Sequence, residues 1–479
     1  MRDLRDFQIL RSRRKLLHEM AGGVGALALG DLFARSGYAA GAKRSDPLAP
    51  KASHFPGKAK SVIFLFMEGG PSQMDLLDPK PELKKYHGQA APASITSQLQ
   101  LAFTKPNAAI LASAREFKKY GQSGLEFSDW LPYTAQNADD MCVVRSMYSE
   151  AFNHHPAQLM LFTGTQQFGR PTMGAWTIYG LGSESESLPG FVVLSSGVGT
   201  SGGATNFSSG FLPSTYQGTQ LRSSGDPILY LSNPQGVSGR GQKAVFDAVK
   251  DLNQAKLDET GDEEIAARMA SYELAYRMQT AGPELTDLSK ESPETMEMYG
   301  INDEKTKQFG TNCLLARRLV ERGVRYIMLM DASWDSHTNL NTKLKENCAK
   351  TDRGAGALIK DLKQRGLLDS TLVVWGGEFG RTPVSEIRNT AEADNAGRDH
   401  HPMAYSMWLA GGGIKGGQVV GKTDDLGFFI TEDKVHVHDL QATMMHCLGF
   451  DHTRLTYRFM GRDFRLTDIH GNVVKKMLA

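Results

Sequence analysis

What most restricts this chain is a recurring pattern: short apolar, β-branched runs, each followed by a loop rich in glycine, acid and histidine. The runs cover residues 61–66, 141–144, 191–194, 326–330, 372–375 and 406–409. A strand with one wet face alternates apolar and polar residues, whereas a strand buried on both faces reads as an unbroken apolar run, so these are expected to be buried parallel strands. Helical patterns lie between them at residues 263–279, 311–322, 354–364 and 440–448, and Gly323 makes a natural stop for the second. The alternation predicts an α/β fold, a three-layer sandwich with a mostly parallel central sheet and helices on both faces. Residues 195–224, rich in serine and glycine and without periodicity, are expected to form a long surface loop.

Charge and cysteine usage narrow the class. With 54 Lys+Arg against 53 Asp+Glu the chain lacks a basic excess, so no nucleic-acid partner is expected. Cys142, Cys313, Cys348 and Cys447 show no zinc-type spacing, which speaks against a disulfide framework. Near the start, Ser12-Arg13-Arg14-Lys15-Leu16-Leu17 is a twin-arginine phrase, followed by a weakly apolar stretch at 21–32 and by Ala40-Gly41-Ala42. Residues 1–42 therefore read as a Tat-type signal peptide, 43–58 as a linker and 59–479 as a single domain. The Tat translocase is the expected export partner, and the mature chain is expected to be periplasmic or secreted. No stretch reaches the ~20 apolar residues of a spanning helix, so no integral membrane segment is expected.

In an open parallel sheet, ligands bind outside the carboxyl ends of the strands. The loops after the runs carry Glu68, Ser72, Asp75 and Asp78, then His154 and His155, then Asp331, Asp335 and His337, then Glu378 and Arg381, and later His400 and His401. Five of the thirteen histidines fall there, as a metal site requires. Carboxylates and neutral imidazoles hold divalent ions such as Zn, Mn, Ca or Fe, and two such ions clamp both oxygens of a displaced ester. Asp335 and His337 are two residues apart, so an extended backbone aims both side chains one way. His154 and His155 precede Pro156, a favoured first helical residue. The positive end of a helix starting there disfavours imidazolium and welcomes an oxyanion. Trp334 is expected to shape a pocket. The structural readings of the same residues are a Glu378–Arg381 bridge and turn roles for Asp75 and Asp78 ahead of Pro79.

Six phrases carry a resemblance: FMEGGPSQMDLLDPKP (66–81), NHHPAQLMLFTG (153–164), WDSHTNL (334–340), WGGEFGRTP (375–383), GRDHHP (397–402) and HDLQATMMHCLGFD (438–451). Together they resemble the bacterial family catalogued as domain of unknown function 1501, over about residues 59–471. That family is similar to the alkaline phosphatase and sulfatase superfamily. The resemblance implies an alkaline-phosphatase-like sandwich and metal-assisted hydrolysis of phosphate or sulfate esters, on a small molecule or a polysaccharide. Against the sulfatase C-x-P-S-R phrase, His154 stands in the place of the cysteine, Pro156 matches and Gln158 replaces the arginine, so the formylglycine mechanism is not implied. Glu378-Phe379 answers an Asp-His pair, keeping the carboxylate and losing the imidazole.

The metal set implied is Asp75, His155, Asp335, His337, Glu378, His400 and His401, with His154, Ser72 and Arg381 as catalytic candidates. Water, His154 or Ser72 is the attacking group, and Arg381 receives the oxyanion. The competing reading is an exported binding or scaffold protein that keeps the fold without turnover. A peptidase or esterase reading lacks support, with no HExxH phrase present.

Overall fold

The computed structural model describes residues 46–99, 104, 107–197, 199–221, 238–386 and 395–479. The strands that matter here are β1 (Ser61–Met67), β2 (Met141–Tyr148), β3 (Phe191–Ser196), β4 (Thr219–Leu221), β5 (Tyr326–Asp331), β6 (Thr371–Gly376), β7 (Gly380–Glu386), β8 (Gly397–His401), β9 (Tyr405–Ala410), β10 (Gln418–Val420) and β11 (Val435–His436). The helices are α1 (His154–Thr163), α2 (Met173–Leu181), α3 (Gly239–Thr260), α4 (Glu263–Thr286), α5 (Lys307–Glu321), α6 (Leu340–Gln364) and α7 (Val437–Cys447). Nine strands form one mixed, mostly parallel sheet in the order β10-β2-β9-β6-β1-β5-β3-β4, with β11 beside β2.

Burial on both faces explains the unbroken apolar runs. Along β1, Val62, Phe64 and Phe66 point into one core with residues of α1, α2 and α7, while Ile63, Leu65 and Met67 point into another with residues of α5 and α6. Side chains alternate across a strand, so a layer on each side demands apolar residues at every position. Gly323, at φ +78°, follows α5 and allows the tight return into β5.

Two expectations are corrected. Residues 406–409 run antiparallel to both β2 and β6. After β6 the chain builds the antiparallel β7–β8 hairpin at the carboxyl rim, so it re-enters the sheet from that rim and must run back. Residues 199–221 are partly packed: they hold β4 and two short helical turns, Gly203–Phe207 and Ser214–Tyr216. Phe207, Leu212 and Tyr216 are buried in the core. Their spacing shows no period because neither a long helix nor a long strand carries them. Residues 222–224 lie outside the described residues.

Residues 1–45, including the twin-arginine phrase, also lie outside the described residues. Pro47–Ala479 form one compact unit, and all that follows concerns it. The described part of the expected linker is tied to the core, with Lys51 N donating to the Leu181 carbonyl and Phe55 N to the Gly449 carbonyl. No helix among the described residues is long and apolar enough to cross a membrane.

Candidate functional site

Strands β1, β2, β5 and β6 share one direction and bring their carboxyl ends to one rim. Glu68 follows β1, Asp335 and His337 follow β5, and Glu378 follows β6. His154 opens α1 beyond β2, and His400 arrives on β8. Asp335 is the hub. Its Oδ1 lies 2.8 Å from His337 Nε2 and 3.4 Å from His400 Nε2, and its Oδ2 lies 3.4 Å from His154 Nε2. Each ring is held at its other nitrogen. His154 Nδ1 meets Glu378 Oε1 at 2.8 Å, His400 Nδ1 meets the Phe152 carbonyl at 2.7 Å, and His337 Nδ1 meets the Glu386 carboxylate. Metal-ligating imidazoles are oriented in this way: Nδ1 faces a carbonyl or carboxylate, which directs Nε2 at the centre.

One ligand atom from each of His154, Asp335, His337 and His400 lies within 4.8 Å of all the others. Three nitrogens and a carboxylate oxygen suit Zn, Mn or Fe better than Ca, which favours oxygen ligands throughout. Glu68, His154 and Glu378 form a second such group sharing His154, and His337, Glu386 and Asp399 a third.

Charge in this cluster is tightly coupled. Burial opposes ionisation of Asp335, but hydrogen bonds from His154, His337 and His400 and the Arg381 charge hold its carboxyl far below the usual range. His154 is pushed down by burial and up by Asp335 and Glu378, and the carboxylates prevail, raising it to about 9. The helix was expected to keep this imidazole neutral. A helix end contributes about 0.3–1 kcal/mol, less than one charge-assisted hydrogen bond. The start of the helix differs too: α1 begins at His154 after Asn153, so Pro156 is its third residue. His337 is raised, since Asp335 and Glu386 outweigh its burial. His400 is lowered, chiefly by burial.

The surrounding loops fix the cluster. Gly69, at φ +113°, passes so close that a side chain there would collide with the Asp335 backbone nitrogen, and its amide donates to both Glu378 oxygens at 3.1 and 3.2 Å. Arg381 is fully buried. Its Nε donates to the Gly70 carbonyl at 3.0 Å, its Nη1 to the Arg398 carbonyl at 2.9 Å, and its Nη2 to the Gly69 carbonyl and Asp335. With every nitrogen engaged, Arg381 orients Asp335 instead of facing solvent. Trp334 is buried, and its Nε1 donates to Asp331 Oδ2 at 3.0 Å. Asp331 also pairs with Lys350 at 2.8 Å, an anchor beneath the loop. Phe379, where an imidazole was noted as lost, stacks on His400 with ring centroids 4.3 Å apart and packs 5.1 Å from His154.

Several candidates lie outside the Asp335 cluster. Asp75 is buried between Ser72 Oγ at 2.6 Å and Arg398 Nε at 3.0 Å, so neither Asp75 nor Ser72 reaches the centre. His155 points to Thr205 Oγ1 at 3.1 Å and sits edge-on against Phe168. His401 faces away from His400 across the strand and is buried, which lowers it to about 4. Asp78 pairs with Lys80 at 3.0 Å, and Glu378 and Arg381 form no bridge with each other.

Two further carboxylates, Glu68 and Glu386, take part. Glu68 is the first residue past β1, the position the strand-end rule would select, whereas Asp75 lies on the helical turn Gln73–Leu76. Glu68 Oε1 accepts from Gln158 Nε2 and from the Ser201 amide, each at 3.1 Å. Ser201 belongs to a Gly-x-Ser-x-Gly phrase at 199–203, but follows β3 through a loop without a strand-to-helix elbow, so it lacks an esterase nucleophile's setting. Glu386 had no signal, because it lies in a hairpin strand far along the chain from His337.

A family model described as protein of unknown function (DUF1501) matches residues 59–478. No curated protein matches the sequence. Solved structures similar to the chain include a protein in the alkaline phosphatase superfamily from Vibrio parahaemolyticus, at 10% identity over 90% of this chain and 74% of that one, TM-score 0.36. A sulfatase from Pseudoalteromonas sp. matches at 13% identity over 82% and 68%, TM-score 0.35. The lipoteichoic acid synthase LtaP from Listeria monocytogenes matches at 8% over 85% and 77%, TM-score 0.35.

Proposed function

The chain belongs to the DUF1501 family, proteins of unknown function, and from its own site we propose a metal-dependent hydrolase of phosphate or sulfate esters, exported by the Tat translocase to the cell envelope. One observation carries the reading: three imidazoles, each held at Nδ1, aim Nε2 at one carboxylate. Asp335, His337 and His400 would hold the ion, leaving open positions as catalytic sites do. Bound there, a divalent ion supplies electrophilic polarisation of the ester oxygen. A second ion would find Glu68 and Glu378. His154 is the most exposed of the three rings, at 21% of its side chain. Glu378 fixes its Nδ1, so Nε2 is the atom that passes a proton to the leaving oxygen. Ser72 is bonded to Asp75 and buried, so water is the attacking group.

The test is metal analysis of protein purified without chelator, followed by p-nitrophenyl phosphate and sulfate assays. Wild type should carry bound divalent metal and turn over one ester, and His337→Ala should lose both. Full metal content in that variant would remove His337 from the site. A scaffold without turnover is favoured by one specific feature, the buried Arg381 charge on Asp335. Folded, metal-free and inactive wild-type protein would decide for it.

A further inference from the structure

At the far end of α1 from His154, a cleft of about 760 Å³ opens between the close of α1, the start of α7 and residues 468–472. Four rings line it in a row, Tyr148, His436, His438 and His470, with successive centroids 4.9, 4.8 and 4.9 Å apart. Their hydrogen bonds set the tautomers. His436 Nδ1 accepts from the His438 amide at 3.1 Å, so Nε2 holds the proton it donates to Glu150 at 3.0 Å. His438 Nε2 donates to the Gly164 carbonyl at 2.8 Å, leaving Nδ1 as an acceptor.

The carboxylates at the rim are held from within. Asp439 accepts from the His436 and Asn472 amides at 3.0 and 2.7 Å, Asp468 pairs with Arg462, and Glu150 with His436. No lysine or arginine lines the cleft among the described residues. An anion finds no cation among the lining residues, and each lining carboxylate is already taken up by a hydrogen bond or an ion pair. What the cleft offers is the half-buried Tyr148 ring and the exposed His470 ring, the exposed amides of Gln166 and Gln167, the His438 acceptor and, at the edge, Ile469, 75% exposed. Apolar ring faces combined with many neutral hydrogen-bonding groups suit a ligand with C–H faces and hydroxyls.

We propose that this cleft binds a neutral saccharide. Glu150 borders the cleft, the Phe152 carbonyl holds His400, and His154 lies in the Asp335 cluster. Four residues span at most ~14 Å, so Glu150 at the cleft and His154 in the cluster lie within that distance of each other. Binding here needs neither metal nor turnover and does not rest on the hydrolase reading.

Calorimetric titration of the full chain with cellohexaose, maltohexaose and chitohexaose tests this. At least one is expected to bind, in the presence of EDTA and without competition by inorganic phosphate or sulfate. Gln167→Ala and His470→Ala alter exposed side chains. Each should weaken binding by about tenfold, the loss of one good contact, with thermal stability and metal content unchanged. No binding of any of the three, affinity unmoved by both substitutions, or displacement by phosphate would each overturn the proposal.

Discussion

Replacing Glu378 with Gln removes a negative charge from beside His154 and preserves the shape of the side chain. In metal-free protein His154 is placed at about 9 against 6.5, because Asp335 and Glu378 outweigh the burial that pushes it down. That rise corresponds to about 3 kcal/mol of preference for the imidazolium. Glu378 lies 2.8 Å from Nδ1 and Asp335 3.4 Å from Nε2, and both carboxylates raise the ring, each through its hydrogen bond and its charge. Glu378→Gln should therefore titrate about 1–2 pH units lower than wild type. The sign for stability follows from a raised histidine. The contribution is complete below 6.5, fades as pH rises through about 9, and should shrink in the variant. A bound cation and the imidazolium repel, so metal affinity in wild type should climb with pH until His154 is neutral. Histidine side-chain NMR on metal-stripped protein reads the titration directly. A wild-type His154 at or below the ordinary value, or one indifferent to Glu378→Gln, would refute the coupling.

Gly69→Ala places a Cβ at a φ of +113° against the Asp335 backbone. It should cost about 1–3 kcal/mol from strain alone, read as a lower urea midpoint together with reduced metal content. Arg398→Met strands the buried Asp75 carboxylate, with an expected loss of about 3–5 kcal/mol by urea denaturation; a loss within error would show that the pair is not needed. His401 is held at about 4 by burial against an ordinary 6.5, so the unfolded chain binds its proton first. Stability from this group should be intact above 6.5 and fall by up to about 3 kcal/mol as pH drops toward 4, and His401→Gln should flatten that slope in midpoints measured across the range.

Much of the centre was legible because strand-end position is written in local pattern. His154, Asp335, His337, Glu378 and His400 each follow an apolar run or its hairpin, and the structure brings them together. Side-chain direction was less legible. His400 and His401 are chemically equivalent in the sequence, and only the alternation of β8, with one face on Asp335 and the other in the interior, separates them. His154 and His155 are parted in the same way by about 100° of helical rotation. Asp75 resembled a ligand because nothing local announces Arg398, more than three hundred residues on.

Periodicity within short windows was enough for the layers, because a strand covered on both faces must be apolar throughout, but not for the antiparallel run of residues 406–409, which the hairpin at the carboxyl rim decides. The protonation of His154, the engagement of Arg381 and the row of rings along the cleft required the folded chain. Each arises from groups distant in sequence held a few ångströms apart in a poorly hydrated interior. Coulombic and hydrogen-bond energies depend on those separations, and no local pattern encodes them.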